Sequence, residues 1–548
     1  MVISNSSSQD LLHSRSKLVV EQAIEARRSG NAPDAEWTLK QHLLKQPDDV
    51  RVLSYLGDFL AEQGRDLEAG LAYKRALSYA PNADNIRLAL AYLLQRQKQF
   101  EPALKEVQSL AEPTRSYFGA LALEAGLLGL LGHHDREVAL YEELLARFGD
   151  NETLWMSYAN ALKTIGRTSD AVAAIRHAIA VRPTYGEAYW TLANLKTFRF
   201  ENRDIAAMRR ALKRELAPAD ATHFHFALGK ALEDREEARE SFAQYTLANE
   251  TKVRGLPPSA LVITPRVEAA IATFNAELFQ RFKGSGEPAR DPIFIIGLQR
   301  SGSTLLEQIL ASHPMVEGTT ELTTMEQLWL RLGAIGSGSG DPFAQVAKLT
   351  PNAVRELGAE YIERTKPFRQ TDRPLFVDKQ PANWMNVGFI KLILPNAKII
   401  DARRNPMACG FSNFKQHYAS GVTFSYSLDA IGRFYADYLR LMDHHDRVSG
   451  GAVHHVINER LIVDPEGEVR RLLDYVGLPF ERACLEFHNN KRAVHTPSAE
   501  QVRRPINRDG VDYWRRYEPW LGPLKDTLGP ALENWDKVPD AGEPVRPL

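Results

Sequence analysis

The segment Gly297-Leu298-Gln299-Arg300-Ser301-Gly302-Ser303-Thr304 follows directly on the apolar run Ile293-Phe294-Ile295-Ile296. This order is typical of a phosphate-binding loop, in which a buried strand leads through a glycine-rich turn into the N-terminus of a helix. The glycines and Thr304 have the spacing of the G-x-x-x-x-G-K-[ST] motif, but Ser303 stands in the position of its lysine. Together with Arg300, this substitution predicts that the loop binds a different anion, without the magnesium chemistry of nucleotide hydrolases.

Short apolar segments alternate with helical patterns around and after this loop, which predicts a parallel sheet of the α/β type. The predicted strands are Ile293 to Ile296, Leu375 to Val377, Lys398 to Asp401 and Val453 to Ile457. Residues 283–288 have the glycine, serine and proline content of a linker. We therefore predict a helical domain over 1–287 and a sheet domain over 288–538, with a mobile surface loop at 333–340 and a disordered tail at 539–548.

The first half of the chain repeats with a period of 34 residues. The set Leu53, Leu56, Gly57, Gly64, Ala69, Tyr73, Ala76 and Pro81 recurs 102 residues later as Trp155, Tyr158, Ala159, Gly166, Ala171, Ile175, Ala178 and Pro183. A 34-residue period of large and small apolar residues with a closing proline resembles the tetratricopeptide repeat, two antiparallel helices per unit. The resemblance predicts a superhelix with a concave groove. The alternative is an irregular helical bundle.

Composition limits the classes of protein that need to be considered. At 548 residues the chain is too long for one ordinary core, and its 68 Lys and Arg nearly balance its 69 Asp and Glu, so nucleic acid is not an indicated partner. Two cysteines are too few for a disulfide framework, and residues 1–17 lack the apolar core of a signal peptide. No run of 18 apolar residues occurs. We expect a cytoplasmic protein without a membrane span.

Landmarks of the second half occur together in the sulfotransferases that use 3′-phosphoadenosine-5′-phosphosulfate (PAPS), and the chain resembles the bacterial branch of this family that carries tetratricopeptide repeats. The C-terminal half is also similar to the tyrosylprotein sulfotransferases. In this resemblance, the loop binds the 5′-phosphosulfate of PAPS through a guanidinium and through backbone N–H groups made accessible by small residues. The residues concerned are Arg300, Ser301, Gly302, Ser303 and Thr304.

A second landmark, Asp401-Ala402-Arg403-Arg404-Asn405-Pro406, ends a predicted strand, and Pro406 can begin a helix. Ser412 lies eight residues after Arg404. This spacing matches the 3′-phosphate site of the family and favours Arg404 over Arg403. The segment Ser498 to Asn507 and Trp514 resemble the C-terminal cofactor segment, with Ser498 in the binding position.

The resemblance also implies the residues of the transfer step, which are Glu321, Lys379 and Arg300. Glu321 lies 21 residues after Arg300, where the tyrosylprotein enzymes have the general base that accepts the proton of the acceptor hydroxyl. Glu317 and Asp378 are competing candidates. Lys379 corresponds to the lysine that neutralises charge on the oxygen joining sulfate to the leaving phosphate, and it would replace the lysine missing from the loop.

Two positions depart from the family pattern. Asn458 stands where many members have tyrosine before glutamate, and Tyr513 stands where a basic residue often precedes the tryptophan. Histidine pairs at 133–134, 444–445 and 454–455 have no accompanying carboxylate or cysteine spacing, so no metal site is predicted.

The sequence thus predicts sulfuryl transfer from PAPS to a hydroxyl acceptor, with adenosine 3′,5′-bisphosphate (PAP) as product and no metal. A tyrosyl peptide or protein is the favoured acceptor, and a glycan or a small molecule stays open. The repeats would bind the acceptor or a partner in their groove, and the oligomeric state is not indicated. The rival interpretations are a kinase-like phosphotransferase, which would need the missing loop lysine, and a non-catalytic repeat scaffold that carries a nucleotide-binding domain.

Overall fold

The computed structural model describes residues 4–195, 198–319, 321–334, 340–418, 421–449, 452–490, 492 and 501–538. Ser498, most of the predicted surface loop and the predicted tail therefore lie outside the described residues. Contacts divide the chain into two compact units, residues 1–188 and 189–548. No helix within the described ranges combines the length and the apolar character needed to cross a membrane.

The first unit consists of helices that pair in sequence. They are α1 (Ser4–Arg28), α2 (Ala32–Lys45), α3 (Val50–Glu62), α4 (Asp66–Tyr79), α5 (Asp84–Arg96), α6 (Phe100–Gln108), α7 (Phe118–Leu130), α8 (His134–Phe148), α9 (Glu152–Thr164) and α10 (Thr168–Val181), followed by α11 (Gly186–Asn194), which spans the division. The starts of α3, α5, α7, α9 and α11, at residues 50, 84, 118, 152 and 186, are each 34 residues apart. The predicted tetratricopeptide-type organisation is confirmed.

Two features of the α3–α4 pair explain the small residues of the repeat. Gly64 has a φ of 74° between α3 and α4, in the left-handed region that glycine adopts without steric cost. Gly57 lies against the ring of Tyr73, and a β-carbon at this position would lie 2.5 Å from Tyr73 Cε1. The large side chain of one helix therefore fills the space left by the small residue of its partner, which buries a face that neither helix could bury alone.

The second unit adds further helices before the sheet and around it. They are α12 (Asn202–Ala211), α13 (Pro218–Glu233), α14 (Ala238–Arg254), α15 (Thr264–Thr273), α16 (Ala276–Arg281), α17 (Ser303–Ala311), α18 (Thr324–Ala334), α19 (Pro342–Val346), α20 (Pro351–Thr365), α21 (Val387–Ile393), α22 (Pro406–Phe414), α23 (Leu428–Ser449), α24 (Asn458–Val463), α25 (Pro465–Val476), α26 (Gly522–Leu528) and α27 (Ala531–Asn534). Short 3₁₀ segments include Gln501–Arg503 and Tyr513–Trp520.

The sheet has five parallel strands in the order β2-β3-β1-β4-β5. Their bounds are β1 (Pro292–Gly297), β2 (Val316–Gly318), β3 (Leu375–Lys379), β4 (Lys398–Arg403) and β5 (Val453–Ile457). The four predicted strands are confirmed. Strand β2 escaped prediction because it has only three residues, one of them charged, and so shows no apolar run.

Both faces of the sheet are covered, as expected for parallel strands. Phe294 and Ile296 of β1 pack in one apolar cluster with residues of α20, α21 and α23. Ile293 and Ile295 point into a second cluster with residues of α17 and α25. Because β1 lies in the middle of this sheet, its carboxyl end brings the phosphate-binding loop to the centre of the strand ends, where ligands bind in open α/β sheets.

Helices that precede the predicted linker pack with the sheet. Phe226 and Tyr245, from α13 and α14, belong to the same apolar cluster as Phe294 of β1. In this hairpin Gly229 lies against the ring of Tyr245 as Gly57 lies against Tyr73. A repeat-type helix pair is therefore part of the unit that contains the sheet. The domain boundary near residue 288 stays a prediction from the sequence.

Candidate active site

The loop after β1 depends on three residues with positive φ. Gly297, Arg300 and Gly302 have φ values of 132°, 68° and 105°. A methyl group at Gly297 would collide with the carbonyl oxygen of Ala402 on β4, so only glycine lets the loop cross the strand end this closely. Helix α17 begins at Ser303 directly after Gly302, and its first N–H groups have no intrahelical acceptor. The loop and the helix end together form a concave anion site.

Helix α22 supports this loop from the side. Asn405 caps the helix by accepting hydrogen bonds from the amides of Met407 and Ala408 at 3.0 and 3.1 Å, and Pro406 is its first residue, as predicted. Asn413 Nδ2 donates to the carbonyl oxygen of Gln299 at 2.8 Å. The helix that carries Ser412 is therefore tied to the main chain of the loop.

The predicted 5′ and 3′ binding residues lie together. Arg300 Nε donates to Ser412 Oγ at 3.1 Å, and Arg404 Nη1 donates to the carbonyl oxygen of Arg300 at 3.0 Å. Arg404 Nη2 donates to the carbonyl oxygen of Gly510 at 2.5 Å. Two buried polar atoms of this group, Arg404 Nε and Ser301 Oγ, have no hydrogen-bond partner among the described residues.

A cavity of about 490 Å³ opens in front of this group. Its walls are the loop, α22, residues 501–514 and part of the helical region that includes Trp190 and Lys230. Its described lining contains six cationic side chains, Arg199, Lys230, Arg300, Arg404, Lys415 and Arg504, and three acidic ones, Glu233, Asp234 and Asp509. Although the whole chain has a formal charge of −1, this cavity is therefore cationic. Burial, with a smaller effect of the Arg300 charge, lowers the pKa of Arg404, so an anion would relieve an unfavourable environment.

Repeat-type helix α13 contributes a carboxylate to the cavity. Glu233 Oε1 accepts a hydrogen bond from Lys415 Nζ at 2.8 Å, and Glu233 Oε2 accepts one from Tyr245 OH at 2.9 Å. The ammonium of Lys415 also lies 4.5 Å from the ring centroid of Tyr513. Sequence reasoning missed Glu233 and Lys415 because nothing in the local pattern relates residues 182 positions apart.

Two of the three residues predicted for the transfer step, Lys379 and Glu321, form a second group, whereas Arg300 lies with Ser412 and Arg404. Lys379, the last residue of β3, is 1% exposed, and its ammonium contacts Glu321 Oε1. The same ammonium lies 3.9 Å from Glu307 Oε2 on α17. Lys379 pairs with Ile295 across the sheet, two residues before Gly297, which places this group beside the loop.

Two residues of this second group were not predicted. Arg492 Nη2 donates to Glu307 Oε1 at 2.5 Å, and Arg492 Nε donates to the carbonyl oxygen of Gly318 at 3.1 Å. A signal for Glu307 does exist in the sequence. It is the one charged residue of α17 and lies three residues after Thr304, so it shares a helix face with the end of the loop.

The competing carboxylates have other partners. Glu317 Oε1 accepts hydrogen bonds from the amides of Gln370 and Thr371 at 2.5 and 3.0 Å, so this side chain anchors the segment before β3. Asp378 Oδ2 accepts a hydrogen bond from Tyr361 OH at 2.7 Å. Burial raises the pKa of Asp378 to about 7. Glu321 is the one of the three in contact with Lys379.

The two departures from the family pattern lie at the cavity. Asn458 is close to Gly302, since a β-carbon on Gly302 would lie 2.8 Å from Asn458 Oδ1. The neighbouring Glu459 accepts a hydrogen bond from the amide of Asn405 at 3.1 Å, which fixes the start of α22. Tyr513 lines the cavity beside Lys415. Across the parts of the chain that the structure describes, no group of three His, Cys, Asp or Glu side chains is arranged to hold a metal ion.

Comparison with known proteins identifies the class of the domain that contains this site. Residues 292–482 match the sequence model of the sulfotransferase family. The chain is 27% identical over 531 residues to an uncharacterized protein of Aquifex aeolicus (strain VF5), a match that covers 93% of this chain and 69% of that protein. It is 23% identical over 261 residues to protein-tyrosine sulfotransferase A of Caenorhabditis elegans, which covers 46% of this chain and 68% of that protein. The second half of the chain therefore contains a sulfotransferase-family domain.

The helical region has its own relatives among solved structures. A tetratricopeptide repeat protein from Parabacteroides merdae is 19% identical, with a TM-score of 0.33, over 43% of this chain and 93% of that one. The repeat organisation of the first unit rests on its 34-residue helix period. The protein thus combines tetratricopeptide-type helix pairs with a sulfotransferase-family domain that is distantly similar to protein-tyrosine sulfotransferases.

Proposed function

We propose that this protein transfers a sulfuryl group from PAPS to a hydroxyl acceptor and releases PAP. The observation that carries the proposal is the cationic cavity at the end of β1. It combines a phosphate-binding loop with Arg300, Arg404 and Ser412, and two buried polar atoms of this group, Arg404 Nε and Ser301 Oγ, have no hydrogen-bond partner among the described residues. A volume of about 490 Å³ lies within the range of small-molecule sites.

The donor nucleotide would occupy this cavity. The Ser301 to Thr304 amides and Arg300 would bind the 5′-phosphosulfate, because helix N-termini and guanidinium groups both favour anionic oxygen. Arg404 and Ser412 would bind the 3′-phosphate, and Ser498 would add a contact from the C-terminal segment. Nucleotides without a 3′-phosphate would bind more weakly, because they would leave the guanidinium of Arg404 without an anionic partner.

The transfer step would use the second group of residues. Glu321 accepts the proton of the acceptor hydroxyl while the bond from its oxygen to sulfur forms and the bond from sulfur to the bridging oxygen breaks. Lys379, with Arg300, stabilises the negative charge that grows on the leaving PAP oxygen. The half-exposed Glu321 is the accessible member of the group, which suits a residue that must meet an incoming acceptor.

The acceptor and the repeats belong to the same proposal. Similarity to the protein-tyrosine sulfotransferases favours a tyrosyl side chain of a peptide or protein, ahead of a glycan or a small molecule. The repeat helices would bind this acceptor or a partner protein. We place the protein in the cytoplasm, because its two cysteines, Cys409 and Cys484, are buried and unpaired, as expected in a reducing compartment.

The experiment that tests the proposal is incubation with labelled PAPS and a panel of tyrosyl peptides, glycans and small phenols and alcohols, followed by mass spectrometry. We expect a mass increase of one sulfuryl group on at least one acceptor, together with PAP. Activity that requires ATP and magnesium instead would favour the kinase-like alternative, and PAP binding without transfer to any acceptor would favour the scaffold.

Glu321→Gln tests the proposed base. We expect transfer at least ~100-fold slower than wild type, the usual scale of a lost general base, with PAP affinity unchanged in calorimetry. Glu326→Gln, a change of the same type at an exposed position on α18, is the control and should retain the wild-type rate. Unchanged turnover of Glu321→Gln would assign the role to another group.

A further inference from the structure

Lys379 is a buried cation with two carboxylates of different character. Its ammonium contacts Glu321 Oε1 and lies 3.9 Å from Glu307 Oε2. The side chain of Glu321 is 46% exposed, whereas that of Glu307 is 3% exposed. One partner of Lys379 can therefore move into solvent, and the other is enclosed by protein.

Glu307 is fixed from the side opposite Lys379. Its Oε1 accepts a hydrogen bond from Arg492 Nη2 at 2.5 Å, while Arg492 Nη1 donates to Gln308 Oε1 at 2.9 Å. Arg492 also donates to the carbonyl oxygens of Gly318 and Thr319. These contacts join α17, the end of β2 and Arg492 into one assembly, which holds the carboxylate of Glu307 in place.

The contact between Lys379 and Glu321 opposes both of the roles proposed for them. An ammonium held against a carboxylate stabilises the charged form and weakens the carboxylate as a base. A lysine engaged by a carboxylate is likewise less available to the oxygen of a leaving group. Both conflicts end if the ammonium of Lys379 leaves Glu321 and contacts the donor instead, provided that this buried ammonium keeps one fixed counter-ion.

We propose that Glu307 is a positioning residue that holds Lys379 while Lys379 exchanges its contact with Glu321 for the leaving oxygen of the donor. This inference rests on the proposed function. It makes donor binding the event that releases Glu321 as a base, so that the acceptor proton is removed only when the sulfuryl group is present. Glu307 does not line the nucleotide cavity, and it acts on the reaction through Lys379 alone.

The charges around Glu307 support this role. The charged groups that act on it are Lys379 of β3, Arg492 and Glu321, and Asp378 of β3 is also within electrostatic reach. Burial raises the pKa of Glu307, and the two cations oppose this shift. Replacing Glu307 by glutamine removes a negative charge near Glu321 and leaves Glu321 as the sole partner carboxylate of Lys379 in this group.

The test compares Glu307→Gln and Glu307→Asp with wild type in single-turnover transfer from labelled PAPS across a range of pH, with PAP affinity measured by calorimetry. For Glu307→Gln we expect transfer roughly tenfold slower, the scale for residues that orient a reacting group from behind, and PAP affinity within about threefold of wild type. Glu307→Asp keeps the charge and should recover part of the rate.

Glu468→Gln is the matched control, since Glu468 on α25 is also a buried carboxylate paired with an arginine, Arg471, in another part of the unit. It should leave the transfer rate unchanged. An unchanged transfer rate in Glu307→Gln would overturn the proposal, as would a parallel loss of PAP affinity and thermal stability. Absence of transfer by the wild type to every acceptor would contradict the proposed function and this role with it, whereas wild-type transfer with an unaffected Glu307→Gln would contradict only the role of Glu307.

Discussion

Arg403 and Arg404 are neighbours at the end of β4, and their side chains enter different surroundings. Arg403 donates to Asp401 Oδ2 at 2.8 Å and lies 3.0 Å from His455 Nδ1 in a network that also contains Asp446. Arg404 faces the cavity, donates to main-chain carbonyl oxygens and leaves its Nε without a partner among the described residues.

The difference separates a structural charge from one that can bind a ligand. Asp401 already compensates the charge of Arg403, whereas the hydrogen bonds that Arg404 donates to the described residues go to neutral carbonyl groups. A buried guanidinium without a carboxylate partner is unfavourable in isolation and becomes favourable when an anion occupies the cavity. The same strand end therefore supports the fold through Arg403 and faces the cavity through Arg404.

The largest effect should come from removing the buried guanidinium of Arg403. Arg403→Ala removes the cation next to Asp401 and leaves that carboxylate with His455 and Tyr438 alone, and breaking a buried pair in this way usually costs 3–5 kcal/mol. We expect urea unfolding to show a loss of free energy on the order of 3–5 kcal/mol. Arg404→Ala is the control and should be much less destabilising. Equal losses in the two variants would contradict the division between them.

A smaller effect, on nucleotide binding, should come from removing the side chain of Arg404, which faces the cavity. Arg404→Ala should weaken PAP binding by roughly 10- to 100-fold, the scale of one hydrogen bond to a charged group, and change binding of adenosine 5′-monophosphate by less than about threefold. Calorimetry with both nucleotides measures this. The result sharpens the comparison, because only the ligand with a 3′-phosphate should respond to Arg404. Equal losses for both nucleotides would remove the 3′-phosphate assignment.

The smallest effect concerns pH and the two neighbouring histidines of β5. Burial and the Arg403 charge oppose protonation of His455, but its hydrogen bonds to Asp401 and Asp446 outweigh them and raise the pKa of its ring. Because this pKa is higher in the folded state, the stabilisation is complete below pH about 6.5 and is lost as pH rises through the folded-state pKa. The difference in free energy of unfolding between wild type and His455→Gln should therefore decrease as the pH rises.

His454→Gln is the matched variant for this measurement. His454 stacks on Tyr475, and burial lowers its pKa to about 4. Its stabilisation is therefore present above pH about 6.5 and is lost as pH falls toward the folded-state value. The difference in free energy of unfolding between wild type and His454→Gln should decrease as the pH falls. Alkaline losses in both variants would contradict the role assigned to the network of Arg403 and His455.

Local patterns predicted the elements well where a period or a motif spans several residues. The 34-residue register located the helix pairs, and Pro406 marked the start of α22. The spacing of Arg404 and Ser412 selected two residues that lie with Arg300 in one group. Strand β2 was missed, because three residues carry too little pattern to be distinguished from a turn.

Contacts between distant residues were beyond the reach of such patterns. The pairing of Glu307 with Arg492 joins residues 185 positions apart, and the contact of Glu233 with Lys415 joins residues 182 positions apart. Neither partner has a distinctive local sequence. The packing of α13 and α14 against the sheet was equally invisible, since a helical domain predicted over 1–287 does not indicate the surface on which its helices lie.

The sequence by itself therefore determined the kinds of element, the loop with its positive-φ glycines and the family of the second half. These features depend on residues close together in the chain, whose steric limits and hydrophobic period act locally. Only the tertiary structure decided which charged residues are enclosed by protein and which face the cavity. Burial and charge compensation depend on long-range packing, and for that reason Arg403 and Arg404, adjacent in sequence, lie in different surroundings.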